Sequence, residues 1–188
     1  MKAELIDYRD QWELVNLAAK TTMWRMDGKY PSSEWKQKII RAEHSPIRVM
    51  KFYVMVTDVP YYSIMHLVRH HVGLQPFVSS QRPDRSPTGT SRHDLPQDAP
   101  VSALFEINAQ ALIDISRVRL CSQADSTTQD LWYLILQVIQ EHEPELVAAC
   151  VRKCVQCGFC PEMKTCGYAG TSMYRTDRLA YIGGMPNA

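Results

Sequence analysis

Apolar positions recur along the chain at two periods, near 3.6 and near 2, and the changes between them mark the expected elements. Residues 7–26 mix charged and apolar side chains at a roughly helical period, through Trp12, Val15, Leu17, Ala18 and Ala19, and predict a first helix. A second follows in YPSSEWKQKIIRAEH, where Ser32 or Ser33 is the N-cap, Glu34 sits in the first turn and Ile39–Ile40 face inward. Pro46, just beyond His44, ends it. The segment IRVMKFYVMVTDVP is rich in Val, Phe and Tyr with partial alternation, closes on Asp58 and Pro60, and predicts a strand. Helical spacing returns in YYSIMHLVRHHVG through Tyr61, Ile64, Met65 and Val68, stopping at Gly73.

Residues 74–101 lack either period and carry Pro76, Pro83, Pro87, Pro96 and Pro100 among scattered arginines. A loop of that length inside a compact domain is usually functional or disordered. From Phe105 to His142 the pattern is helical, with a break near Ser122; Leu112, Ile115 and Val118 mark one face and Leu131, Leu134, Ile135 and Val138 another. A short helix after Pro144 leads into a cysteine cluster. The organisation expected is a single domain over residues 1–166, with a Cys-rich segment at 150–166 inside it. The tail at 167–188 has little to pack, and its last few residues are expected to be mobile.

Composition narrows the class. With 21 Lys+Arg against 20 Asp+Glu in 188 residues the net charge is +1, which argues against a nucleic-acid or membrane surface, so any basic site is local. The N-terminus lacks the continuous apolar stretch of a secretory signal. The longest apolar candidate, LWYLILQVI, is too short to cross a bilayer and is broken by Gln137. Five of the six cysteines crowd into residues 150–166 rather than forming a spread-out disulfide framework, so the expected location is a reducing cytoplasm.

No GxGxxG or GxxxxGK occurs, so a bound phosphate has to be held by side chains. Arginine suits that task, because its planar fork matches phosphate oxygens and stays charged. Arg69, Arg82, Arg85, Arg92, Arg117 and Arg119 surround the irregular region, although any one of them alone reads equally as a solvated surface group.

HLVRHHVGLQPFVSSQR resembles the signature of the flavin-dependent thymidylate synthases, which opens Arg-His-Arg and closes about ten residues on with Ser-x-Arg. Arg69 and His70 match its opening; Ser80, Gln81 and Arg82 match its close. SRHDLP is similar to the family's Arg-x-x-Leu-Pro element at Arg92, and INAQALIDISRVRLCSQA to its long helix, in which Asn108 precedes Arg119 by eleven residues. YPSSEWKQKIIRAEHSPI resembles the helix and turn before the family's first strand. The matches run in order from about residue 15 to 160. Independently of the resemblance, eleven residues are about three helical turns, which sets Asn108 and Arg119 on one side.

The resemblance implies an α/β (α+β) fold with a mixed sheet and long helices, and a homotetramer with sites between subunits. It implies FAD as cofactor, NADPH and methylenetetrahydrofolate as co-substrates, and conversion of dUMP to dTMP. On this reading His66, Arg69, Ser80, Gln81, Arg82 and Arg92 bind dUMP. Arg119 is catalytic, stabilising negative charge at N3/O4 of the uracil. Arg69, His70, His71, Asn108, Gln110 and Asp114 line the flavin. Four departures fall mainly on the flavin and folate side. His71 stands where the signature has Arg, LQPFV replaces its polar centre with one residue inserted, a family His falls near Val49, and a family Arg becomes Gln110. They leave open a relative that adds another one-carbon group to a pyrimidine nucleotide, or one that has lost the flavin.

CVRKCVQCGFCPEMKTC adds a separate question. Cys154, Cys157, Cys160 and Cys166 supply enough thiolates for a tetrahedral zinc, although the usual two well-separated pairs are missing. The spacing also approaches iron–sulfur ligation, and reduced thiols, disulfides or a redox pair satisfy it as well. A metal-stabilised nucleic-acid-binding module is the reading from another class; neutral charge and the lack of interleaved exposed aromatics oppose it.

Overall fold

The computed structural model describes residues 1–27, 29–86 and 88–183. Strands β1 (Lys2–Leu5), β2 (Lys51–Pro60), β3 (Leu74–Val78) and β4 (Pro100–Asn108) form one sheet in the order β1-β2-β4-β3, antiparallel at every pairing. In the central pair the register sets Phe52 opposite Ile107, Val54 opposite Phe105 and Val56 opposite Ala103, and all six are buried. Alternation with a period of two therefore gives the sheet one apolar face. A bulge between Val56 and Val59 interrupts the ladder, and Asp58 there takes a left-handed φ of 54°.

Eight helices surround the sheet among the described residues: α1 (Trp12–Thr21), α2 (Ser33–Arg41), α3 (Tyr61–Val68), α4 (Ala109–Arg119), α5 (Ser126–Gln140), α6 (Pro144–Val147), α7 (Lys153–Cys157) and α8 (Ser172–Gly183). The Ser32 side chain caps α2 by accepting from the Trp35 amide, and Ile39 and Ile40 are its buried pair. α5 lies against β1 and β2 and buries Leu131, Trp132, Ile135 and Ile139. Each such side chain contributes about 1.5–3 kcal/mol on leaving water. Two buried polar clusters are satisfied: Trp132 donates to Ser116 Oγ at 2.8 Å, and the buried Glu143 carboxylate accepts from Tyr8 (2.7 Å) and Trp12 (2.8 Å).

Several expected boundaries move. The first helix covers Trp12–Thr21 rather than residues 7–26, because Asp7 turns with φ 84° as the chain leaves β1, a strand the sequence did not suggest. The irregular stretch at 74–101 contains β3, whose Pro76 lies at the sheet edge where a missing amide costs least. The helix expected from Phe105 begins only at Ala109, since Phe105–Asn108 complete β4 and pair with β2. The sheet is antiparallel throughout rather than mixed; no parallel pair forms that would need a crossover connection. The tail expected to pack little instead forms α8, and Tyr181 joins Tyr168 and Val155 in a second small core. Of the residues expected to be mobile, 184–188 lie outside the described ones.

Candidate functional site

Arg119 is the last residue of α4 and is half-buried against the end of α3. Its Nε–H donates to His70 Nε2 at 2.9 Å and its Nη2 donates to the His66 carbonyl oxygen at 2.6 Å. The carbonyls at the C-terminal end of α3 have no partner within the helix, so a guanidinium there meets both an open acceptor and the negative end of the dipole. Burial, with the nearby Arg69 adding to it, lowers the Arg119 pKa. His70 is lowered too, first by burial and then by Arg119, Arg69 and His71, so its ring stays neutral and Nε2 keeps its lone pair for Arg119. His66 is held on the other side by Thr128 Oγ1, 3.0 Å from its Nδ1, and His71 Nδ1 stands 3.1 Å from the Arg69 carbonyl oxygen.

The loop between β3 and β4 builds a second group. Ser79 is fixed to β4 by its amide, which donates to the Ser102 carbonyl at 2.8 Å, and by its hydroxyl, which accepts from the Ser102 amide at 3.0 Å. This anchor starts the turn through Ser80, Gln81 and Arg82, and a cavity of about 180 Å³ opens between that turn, Arg92 and the Tyr61–Met65 face of α3. A larger cavity of about 420 Å³ adjoins it and shares Ser79, Ser80 and Gln81, with Arg85 on its far wall. Arg82 is already engaged by both carboxylate oxygens of Asp84, at 3.0 Å each. Arg92, by contrast, has no ion-pair partner among the described residues.

At the start of α4, Asn108 is the N-cap rather than a residue of the helix, and its Oδ1 accepts from the Ala111 amide at 2.8 Å. Its side chain lies over Gly73, whose φ of +76° and missing Cβ make room; a Cβ there would come within 2.5 Å of Asn108 Nδ2. Asn108 thus meets Gly73 and Arg119 meets His70, three residues apart in one segment. Gln110 and Asp114 turn another way. Gln110 Nε2 donates to Glu43 at 2.8 Å, and Arg117 bridges Glu43 and Asp114. Burial opposes ionisation of Glu43, but hydrogen bonds from Arg117 and Gln110 outweigh it and hold its pKa below the usual carboxylate range.

The donors around the smaller cavity are guanidinium, hydroxyl and amide groups with no carboxylate on its wall, a set that suits an anionic phosphate. Arg69, His70 and His71 likewise offer donors for the pyrophosphate of a dinucleotide such as FAD. The Gln110 Oε1, on the side of α4 that faces Glu43, is buried without a partner among the described residues. Within one chain the Arg119–His70 group and the Arg82–Arg92 group do not share a described cavity. Tyr61 and Met65 were read from the sequence only as positions of a helix, not as site residues, and Thr128 was not read at all. Tyr61 and Met65, four residues apart on one helix before the signature, carried a detectable signal; Thr128 comes from α5 and did not.

Among the described residues no three His, Cys, Asp or Glu side chains stand ready to hold a metal ion, and no helix is long and apolar enough to cross a membrane. The Cys157 thiol points back along its own helix, 2.8 Å from the Lys153 carbonyl, away from Cys154, Cys160 and Cys166 with which it was grouped.

No family model and no curated protein matches the sequence. Solved structures do match the fold. The crystal structure of the flavin-dependent thymidylate synthase ThyX from Helicobacter pylori, complexed with FAD and dUMP, superposes with a TM-score of 0.66 at 13% identity. That match covers 81% of this chain and 100% of the other. A second structure of ThyX from Helicobacter pylori with FAD and dUMP gives a TM-score of 0.66 at 14% identity, over 80% and 99% of the two chains. The whole of the other chain is matched by elements in the same spatial arrangement despite so little shared sequence, so this protein has the fold of the flavin-dependent thymidylate synthases.

Proposed function

We propose that the chain is an FAD-dependent thymidylate synthase-like enzyme that converts dUMP to dTMP, using methylenetetrahydrofolate and NADPH, as a cytoplasmic homotetramer. The observation that carries this reading is the cavity in which Arg92, without an ion-pair partner among the described residues, meets Arg82, Ser80 and Gln81 against the Tyr61–Met65 face of α3, the helix that precedes Arg69 and His70. The matched structures, complexes of ThyX with FAD and dUMP, support it through their fold.

On this reading Arg92 and Arg82 hold the nucleotide phosphate, with Arg82 also kept in place by Asp84, and Ser80 and Gln81 donate hydrogen bonds. Arg119, with His66 beside it, takes the uracil edge. A guanidinium at N3/O4 favours loss of the N3 proton, and the charge delocalises onto C5 and makes it nucleophilic. Favouring the anion by two pKa units corresponds to about 2.7 kcal/mol. The neutral His70 orients Arg119 without competing for that charge. Arg69, His70, His71 and Asn108 form the flavin wall, with Gln110 and Asp114 behind it. When bound, FAD reduced by NADPH supplies the reducing equivalents and carries the one-carbon unit to the base. The two arginine groups share no described cavity within one chain, so the oligomer is part of the proposal, the cleft closing between subunits.

Purified protein is expected to absorb in the flavin bands and to bind dUMP, and Arg92→Ala to weaken that binding about 10-fold or more, since a charged hydrogen bond contributes about 1.5–3 kcal/mol. Protein that neither retains nor takes up FAD and does not bind dUMP would refute the reading. A second reading, transfer of another one-carbon group to a pyrimidine nucleotide, is favoured by Gln110, which joins Glu43 and Asp114 where the family carries an arginine. FAD and nucleotide binding without dTMP formation would select it.

A further inference from the structure

The cysteine-rich segment meets a thiol from a distant part of the chain. Cys121, two residues beyond Arg119, lines one small cavity together with Cys154 from α7, Cys160 and Cys166. Cys157 and the fully buried Cys150 do not line it. The cavity holds about 10 Å³, roughly room for one ion or one water and far too little for a four-iron cluster. Arg152 and Lys153 stand on its wall, where their positive charge offsets that of thiolates, with Glu162 as the one carboxylate there.

A second observation concerns the segment that carries these thiols. Among the described residues no backbone carbonyl accepts from an amide of Phe159 to Cys166, and Phe159 and Met163 are exposed. Neither a hydrogen-bonded ladder nor an apolar anchor accounts for the path of this segment over the end of α4. Gln123, which donates to the Lys164 carbonyl, is its one polar tie to that end. A segment so poor in its own contacts needs a cross-link, and four thiols around a one-ion space are the groups that supply one.

We propose that Cys121, Cys154, Cys160 and Cys166 bind a structural zinc ion in tetrahedral thiolate coordination, and that this ion ties the C-terminal segment to the end of the helix bearing Arg119. The thiols do not yet converge at coordination distance, so binding requires them to turn about their Cα–Cβ bonds into the cavity they line. Four thiols release their protons to solvent as the ion enters, with no change of oxidation state. The site stands independently of the nucleotide reading.

The test is metal analysis of untagged full-length protein, purified under reducing conditions from zinc-supplemented cells, together with the absorption spectrum after cobalt(II) exchange. About one zinc per chain and a sulfur-to-cobalt charge-transfer band with tetrahedral d–d bands are expected. Cys121→Ser should lose the ion or the intensity of that band, whereas Cys157→Ser should keep both. Metal-free wild-type protein with native circular dichroism and freely titrating thiols would overturn the proposal. So would iron in place of zinc, or loss of the ion in Cys157→Ser while Cys121→Ser retains it.

Discussion

Arg119→Ala is expected to slow exchange of the C5 hydrogen of dUMP about 100-fold while leaving the protein folded. The substitution removes two hydrogen bonds, to His70 Nε2 and to the His66 carbonyl. Each contributes about 0.5–1.5 kcal/mol to stability, and the half-exposed position lets water replace the lost donors, so the cost stays at about 1–2 kcal/mol. A domain of this kind is stable by about 5–15 kcal/mol and survives that loss. The chemical effect is larger. A cation about 4 Å from the uracil anion interacts by about 4 kcal/mol at an effective dielectric of 20, and after the loss of hydration about 2.7 kcal/mol remains as the two-unit shift at N3. The assay is tritium release from 5-tritiated dUMP, run beside a dUMP binding titration. Release should fall about 100-fold with a much smaller change in affinity. Arg119→Lys should recover part of the rate, because it restores charge without the fork that reaches both His66 and His70. Unchanged release in Arg119→Ala refutes the placement of this residue at the base.

Two further outcomes follow from the same region. Gly73→Ala combines a left-handed φ with a Cβ driven into the Asn108 cap, and should cost about 2–3 kcal/mol in a denaturant titration; a change below about 0.5 kcal/mol would show that the Asn108 contact is loose. Because the folded-state pKa of His70 lies below its unfolded value of about 6.5, the unfolded chain binds the extra proton first. Its stabilising effect is therefore complete above that pH and is lost as the pH falls from about 6.5 toward the folded-state value. His70→Gln, which still offers Arg119 an acceptor but does not titrate, should flatten the pH dependence of the denaturation midpoint below about pH 6.5. An equal slope in both proteins would exclude His70 as its source.

Local chemistry was legible wherever one period ran uninterrupted. A cap at Ser32 or Ser33, the Ile39–Ile40 pair of α2, strand β2 and helix α3 all follow from near-neighbour rules, and the structure carries each, with Ser32 as the cap, β2 starting at Lys51 rather than Ile47 and α3 stopping at Val68 rather than Gly73. The ordered set Arg69–His70, Ser80–Arg82, Arg92 and Asn108–Arg119 pointed to the fold that the structural neighbours share. Boundaries failed where apolar residues satisfied two periods at once. Val101, Ala103, Phe105 and Ile107 alternate as a strand, but Phe105 also fits the helical spacing that continues beyond it, and only pairing with β2 decides between them. β1 and β3 are four and five residues long, too short to announce themselves without the neighbour that completes their hydrogen bonds.

Which side chains meet was the part that no spacing contained. Residue types and their order along the chain supplied arginines, histidines and thiols of the right chemistry, because those properties belong to each residue alone. That Arg119 reaches His70, that Gln110 turns to Glu43, and that Cys121 rather than Cys157 faces Cys160 depend on how α3, α4 and α7 pack, a matter of contacts 20 to 70 residues apart in sequence. Close packing admits few arrangements of neighbouring side chains, and the tertiary structure selects among them.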